Sequence, residues 1–183
     1  MIAYTVSDTS KNRALVVPNY LDEFTAAPTV RRGWAEQKLF VTPADGSRDT
    51  PFEIKLPKQE GVGNFRRTVW AADNRSLIVD RVDKDTKRRQ LFYVFHAGSK
   101  DEQIITIADE TDEKWQAPLS AIVEPNPKDA KQLFYCSEKD GYNHIYIAKL
   151  DAETPAATVS DPSAKVQEGG QRLKAEPVVT QIT

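Results

Sequence analysis

Few residues in this chain have types and spacing suited to chemistry. There are two histidines, His96 and His144, and one cysteine, Cys136. A transition-metal site needs several such ligands at short spacing. No Cys/His pairing here has that spacing, so neither a metal nor a cofactor is expected. A reactive cysteine needs exposed, electropositive surroundings. Cys136 instead lies in the apolar run Leu133-Phe134-Tyr135-Cys136 and reads as a core residue. As the sole cysteine it cannot form an intrachain disulfide. A nucleophilic serine on a G-x-S-x-G turn is missing as well, since Gly46-Ser47 and Gly98-Ser99 sit in hydrophilic turns. Gly61-Val62-Gly63-Asn64 shares only its glycines with a phosphate loop, because the Lys-Ser/Thr ending and the following helix are absent. No catalytic residue is expected.

The charged runs are equally unspecific. Asp109-Glu110-Thr111-Asp112-Glu113 lacks the ligand spacing and turn glycine of an EF-hand loop, and reads as a solvated loop. Asp83–Arg89, ending in Lys87-Arg88-Arg89, reads as an exposed hairpin tip between two strands. Overall, 25 basic residues stand against 27 acidic ones, for a net charge of −2. A dedicated nucleic-acid binder usually shows a basic surplus, so no nucleic-acid partner is expected. No stretch approaches the roughly 18 apolar residues of a membrane helix. Met1–Val6 is strand-like and does not resemble a signal peptide. A chain that opens in mid-strand suggests a piece of something longer.

These residues must be positioned by strands. With 183 residues, 39 % of them hydrophobic, one domain or at most two small ones can form a packed core. The apolar runs are short and β-rich: Ile2–Val6, Ala14–Val17, Leu39–Val41, Phe52–Leu56, Thr68–Trp70, Leu77–Val79, Leu91–Phe95, Ile104–Ile107, Ala121–Val123, Leu133–Cys136 and Ile145–Ala148. Phe52, Ile54 and Leu56 alternate with the period of a half-buried strand. Asp45-Gly46 and Asp140-Gly141 supply the positive φ that tight hairpin turns need. The best helical candidate, Asn19–Phe24, is short. The fold class is therefore all-β.

The strands recur in fours. One unit is Thr68–Trp70, Leu77–Val79, Leu91–Phe95, Ile104–Ile107. The next is Ala121–Val123, Leu133–Cys136, Ile145–Ala148 and, weakly, Thr158–Ser160. An earlier one is Ile2–Val6, Ala14–Val17, Leu39–Val41, Phe52–Leu56. Tandem four-stranded antiparallel units of roughly 40 to 60 residues point to a β-propeller. A lone blade cannot cover both its faces, so neighbours must stack on it. About three blades fit within residues 1–150, fewer than the four or so needed to close a ring. A β-sandwich is the other reading. Trp34, Trp70 and Trp115 are expected to fill the space between blades. Residues 151–183 read as a weak edge strand, a flexible loop around Gly169-Gly170, and an incomplete strand, Pro177–Ile182, that would open a further unit.

Three stretches carry a family resemblance. Ser137-Glu138-Lys139-Asp140-Gly141-Tyr142-Asn143-His144-Ile145-Tyr146 resembles the S-E-x-D-G-(aromatic)-x-H-(aliphatic)-Y segment of the dipeptidyl peptidase IV N-terminal β-propeller. That propeller belongs to the prolyl-oligopeptidase-like serine peptidases. Val69–Leu77, with Trp70 and Asp73, is similar to its W-(S/A)-x-D strand turn. Glu110–Trp115 is similar to its E-x-(S/T)-x-x-W segment. The coverage is roughly Val69 to Leu150, and residues 1–60 fit less specifically. The signature residues are Trp70, Asp73, Trp115, Ser137, Glu138, Asp140, Gly141, Tyr142, His144 and Tyr146, all with structural roles. For His144 a hydrogen bond to Asp140 or Glu138 is expected.

The resemblance implies a non-catalytic propeller that caps an α/β-hydrolase domain, gates access by size and helps orient a peptide substrate. The catalytic Ser, Asp and His of such enzymes lie in the hydrolase domain, C-terminal to the propeller and absent from this chain. Two departures matter. Some members carry an arginine near the substrate just after the third-motif Trp, but Gln116–Ser120 follow Trp115 here. No Glu-Glu pair of the kind that grips a substrate amino terminus is found, and Asp22-Glu23 has the wrong context. No substrate-binding residue is assigned. The alternatives are a WD-like or TolB-like binding module for protein partners, and a self-associating β-protein that forms a homo-oligomer. The resemblance leaves the parent's compartment open between periplasm and cytoplasm.

Overall fold

The computed structural model describes residues 1–8, 16–18, 24–26, 36–47, 50–57, 63–83, 87–112, 122–150 and 177–182. Among them there are only strands and turns. The strands are β1 (Ile2–Asp8), β2 (Val16–Pro18), β3 (Phe24–Ala26), β4 (Glu36–Thr42), β5 (Phe52–Ile54), β6 (Gly63–Trp70) and β7 (Leu77–Asp83). They continue with β8 (Arg88–Phe95), β9 (Gln103–Thr111), β10 (Val123–Asn126), β11 (Asp129–Ser137), β12 (His144–Lys149) and β13 (Val178–Gln181). The strands form three antiparallel sheets, β1-β4-β5, β6-β7-β8-β9 and β10-β11-β12-β13, beside the small β2-β3 hairpin. The all-β architecture of partial propeller blades thus holds.

The middle sheet explains the stacking. Strands β7 and β8 carry the unbroken apolar runs Leu77–Val79 and Leu91–Phe95 because both faces are covered there. Leu77, Val79, Phe92 and Val94 point one way and pack with Leu39, Val41 and Ile54 of the first sheet. Their neighbours Ile78, Leu91, Tyr93 and Phe95 point the other way and pack with Val123, Leu133, Tyr135, Tyr146 and Ala148 of the third. Strand alternation sends successive side chains to opposite faces, so one run of sequence builds two cores. Each fully buried Leu or Phe contributes about 1.5–3 kcal/mol, which makes these seams the main support of the fold. Trp70 lies against the core between the first and second sheets, as expected of it. Trp34 and Trp115 lie outside the described residues.

Two strand readings are corrected. Ala14–Val17 was expected as the second strand of the first unit, but β1 pairs directly with β4, Tyr4 opposite Phe40. Residues 16–18 pair with 24–26 instead. The first sheet is therefore three-stranded, with β1 in the position that β7 and β11 occupy in the other two sheets. Of the short helical candidate Asn19–Phe24, Phe24 opens β3, in keeping with the all-β reading, and 19–23 lie outside the described residues. At the far end of the chain, Val178–Gln181 opens no further unit. It runs antiparallel to β12, Ile147 opposite Thr180, and supplies the fourth strand of the third sheet. The edge strand expected at Thr158–Ser160 and the loop around Gly169-Gly170 lie outside the described residues.

The turns set two ends for the stack. At one end lie the β7–β8 and β11–β12 connections. At the other lie the turns Ala71–Ser76 and His96–Glu102. Gly46 and Gly141 have φ of 70° and 93°, the left-handed region that the two Asp-Gly turns require.

Candidate functional site

The signature segment forms the β11–β12 connection. Ser137 ends β11, fully buried, and Gly141 N donates to Glu138 O at 2.8 Å to close the turn. His144 and Tyr146 open β12. Tyr146 is 1 % exposed, and its hydroxyl donates to Asp140 while Lys139 Nζ stands 4.2 Å above its ring. Burial, reinforced by the Asp140 carboxylate, pushes the Tyr146 phenol up to about 12. Asp140 is thus engaged by Tyr146. His144, expected to bond Asp140 or Glu138, stands edge-on to Tyr142, ring centroids 6.4 Å apart. Tyr142 is 77 % exposed at the apex of the turn. The arrangement anchors one tyrosine and presents the other.

Beneath this turn runs a buried charged network that joins two sheets. Arg89 of β8 grips Asp80 of β7 with two hydrogen bonds, Nε to Oδ1 at 3.1 Å and Nη2 to Oδ2 at 3.2 Å. Its Nη1 donates across the seam to the carbonyl of Cys136 on β11. Glu110 of β9 lies 3.9 Å from the same nitrogen and accepts the Ser137 hydroxyl at 2.6 Å. Arg89 and Asp80 are 6 % and 0 % exposed. Ionised side chains are buried this deeply only when paired and hydrogen-bonded. Two sequence readings fall here. Arg89 belongs to no exposed hairpin tip, and Glu110 belongs to no solvated loop. Next to them, Arg88 makes a bidentate pair with Asp109 at 2.7 and 2.6 Å. That guanidinium holds the Asp109 carboxyl below the usual range.

The second motif builds the opposite turn. Asp73 accepts hydrogen bonds from Arg75 N at 2.9 Å, Ser76 N at 2.8 Å and Ser76 Oγ at 2.7 Å. Partial burial pushes its carboxyl up, but these bonds outweigh the burial and hold it below the usual value. Ser76 is fully buried, so the Asp73 bond keeps its hydroxyl satisfied. Asp73 and the β11–β12 turn thus lie at opposite ends of the stack, and the signature residues form no single cluster. Trp115, the last of them, lies outside the described residues.

The local chemistry is that of holding rather than reacting. The Ser137 hydroxyl is engaged on both sides, donating to Glu110 and accepting from Lys139 N at 3.1 Å. Cys136 is a free, buried thiol, as its apolar run suggested. Among the described residues no three or more His, Cys, Asp and Glu side chains cluster as metal ligands. No helix among them is long and apolar enough to cross a membrane.

Sequence reasoning missed the Arg89–Asp80–Glu110 network. Its signal was present: Asp80 continues the apolar run Leu77-Ile78-Val79, and Arg89 stands two residues before the run Leu91–Phe95. A charge inside a strand that is buried on both faces needs an equally buried partner.

Comparison with curated proteins gave no match. Comparison with protein families did: the model of the dipeptidyl peptidase IV (DPP IV) N-terminal region matches residues 2–169. That span includes all three stacked sheets up to β12, and the chain belongs to the dipeptidyl peptidase IV N-terminal region family.

Proposed function

We propose that this chain is the non-catalytic propeller portion of a dipeptidyl-peptidase-IV-like serine exopeptidase. In this reading it gates and orients peptide substrates for an α/β-hydrolase domain carried elsewhere in the parent protein. Residues 1–150, completed by the strand Val178–Gln181, supply the blades, and the signature residues Trp70, Asp73, Ser137, Glu138, Asp140, Gly141, Tyr142, His144 and Tyr146 keep them in register. The single observation that carries the reading is the family match across residues 2–169. The chemistry of the site agrees with it, since the Ser137 hydroxyl is engaged and the Cys136 thiol is buried. Alone, the chain hydrolyses no peptide.

The test is the size and activity of the native polypeptide. An antibody to this segment should detect a band of about 70–90 kDa, the mass of a full propeller plus a hydrolase domain. The purified protein should release dipeptides from X-Pro substrates and lose that activity to a serine-directed inhibitor. A native band near the 20.5 kDa of this chain would overturn the reading and leave a binding module or a self-associating β-protein.

A further inference from the structure

At the end of the stack opposite the signature turn, residues of the adjoining turns Ala71–Ser76 and His96–Glu102 line an open cleft of about 440 Å³. Arg75 contributes one wall, His96, Ser99 and Asp101 the other, with Met1 and Ala97 as apolar lining. The walls are fixed. Ala97 N donates to Arg75 O at 2.9 Å and so ties one turn to the other, and Ser99 N donates to His96 O at 3.0 Å. Both non-glycine residues with positive φ among those described, Asn74 at 52° and His96 at 49°, belong to these two turns. Such conformations are costly, and they gather where a site must be held open.

The charges in the cleft are available. Asp73 spends both carboxylate oxygens on the backbone and hydroxyl of its own turn. Glu102 accepts from Gly98 N at 2.9 Å. Both keep their charge, but neither forms an ion pair with Arg75, whose guanidinium has no hydrogen bond or ion pair among the described residues. A guanidinium, an imidazole and a hydroxyl that line one cleft can receive a carboxylate, since Arg takes a carboxylate through two parallel hydrogen bonds. Asp101, the one acid on the wall, cannot help hold an anion. It can accept a hydrogen bond from an N–H donor next to the carboxylate. We propose that this cleft binds a carboxylate flanked by an N–H donor, the chemistry shared by a free amino acid and the C-terminal residue of a peptide. The apolar lining by Met1 and Ala97 suits a small side chain on that ligand. The site is independent of the peptidase reading, which assigns it nothing.

His96 reports occupancy, and His144 at the opposite end of the stack is the internal reference. The imidazole resonances of the full 183-residue chain would be followed by NMR during titration with alanine, N-acetylalanine, alanylalanine, acetate and alaninamide. The expected result is a saturable change in the His96 resonances with probes that carry both carboxylate and N–H. His144 should not move. Saturation by alanine marks a free amino acid as the ligand, and saturation by N-acetylalanine and alanylalanine alone marks a peptide end. Arg75→Gln should weaken the response at least tenfold. This variant should fold, because the turn uses only the backbone of Arg75. An unmoved His96, an equal response to alaninamide, or an undiminished response in Arg75→Gln would each overturn the proposal.

Discussion

The Ser137 hydroxyl donates to Glu110 at 2.6 Å, so the first residue of the signature turn is fastened to the neighbouring sheet as well as to its own. Ser137→Ala leaves a mostly buried carboxylate short of a donor. The expected cost is about 1–3 kcal/mol, read as a lower urea midpoint at unchanged slope. Ser137→Thr, which keeps a hydroxyl, should cost less. Equal losses in the two variants would mean that packing, not the hydrogen bond, sets the effect.

Arg89 and Asp80 form a bidentate pair inside the fold. Removing one partner strands the other charge, and Arg89→Met should cost about 3–5 kcal/mol. Replacing both, as Arg89→Met with Asp80→Leu, should restore part of that loss, because the pair's burial is itself expensive. A double variant as unstable as the two single losses added together would contradict this account. Amide exchange of residues 137–144 should accelerate in Arg89→Met beyond that of residues 77–79, since Arg89 also holds the Cys136 carbonyl.

Asp73 titrates below its usual value in the folded chain. A depressed carboxyl contributes stability that is complete above its unfolded pKa and is lost as pH falls through the folded one. Asp73→Ala should therefore cost about 1 kcal/mol at neutral pH, as for other lost side-chain caps on backbone N–H groups. The gap to the parent chain should narrow progressively below about pH 4. Urea midpoints of the two proteins between pH 7 and pH 3 measure it, and a gap that stays constant over that range would exclude the carboxylate as its source.

The outer faces of the first and third sheets are left uncovered. Ile2 and Val6 on one, and Ile145 and Ile182 at the other, are 50 %, 48 %, 41 % and 51 % exposed. Apolar sheet faces of this kind drive association. Light scattering of the isolated chain should show concentration-dependent oligomers, and Val6→Lys with Ile145→Lys should shift them toward monomer. A strictly monomeric parent chain at high concentration would show that these faces are not sticky enough to matter.

Much of the fold is legible because local pattern and turn chemistry agree. The unbroken apolar run Leu91–Phe95 signals a strand covered on both sides, and Asp45-Gly46 and Asp140-Gly141 mark hairpins that the structure contains. What fails depends on pairing across sequence distance. Nothing in Ala14–Val17 reveals that β1 bypasses it to reach β4, because both candidates are short and apolar. Val178–Gln181 has the composition of any edge strand, and only the open side of β12 decides where it goes. The candidate site divides the same way. The signature turn is readable from spacing, whereas the network below it is not, since Arg89 sits in a basic triplet that looks solvated until the third sheet covers it.

The late arrival of β13 bears on how the chain is born. Leu150 ends the region of β12, and Val178 begins the strand that pairs beside it. During synthesis, the first two sheets and β10-β11-β12 are complete in the nascent chain while the outer edge of β12 still lacks its partner. An edge in that state presents unpaired amides and carbonyls to any passing strand. Ribosome pausing between these two positions would therefore lengthen the interval of greatest vulnerability to wrong pairing. Codon choice and chaperone access over that stretch become determinants of yield, although they touch no residue of either core.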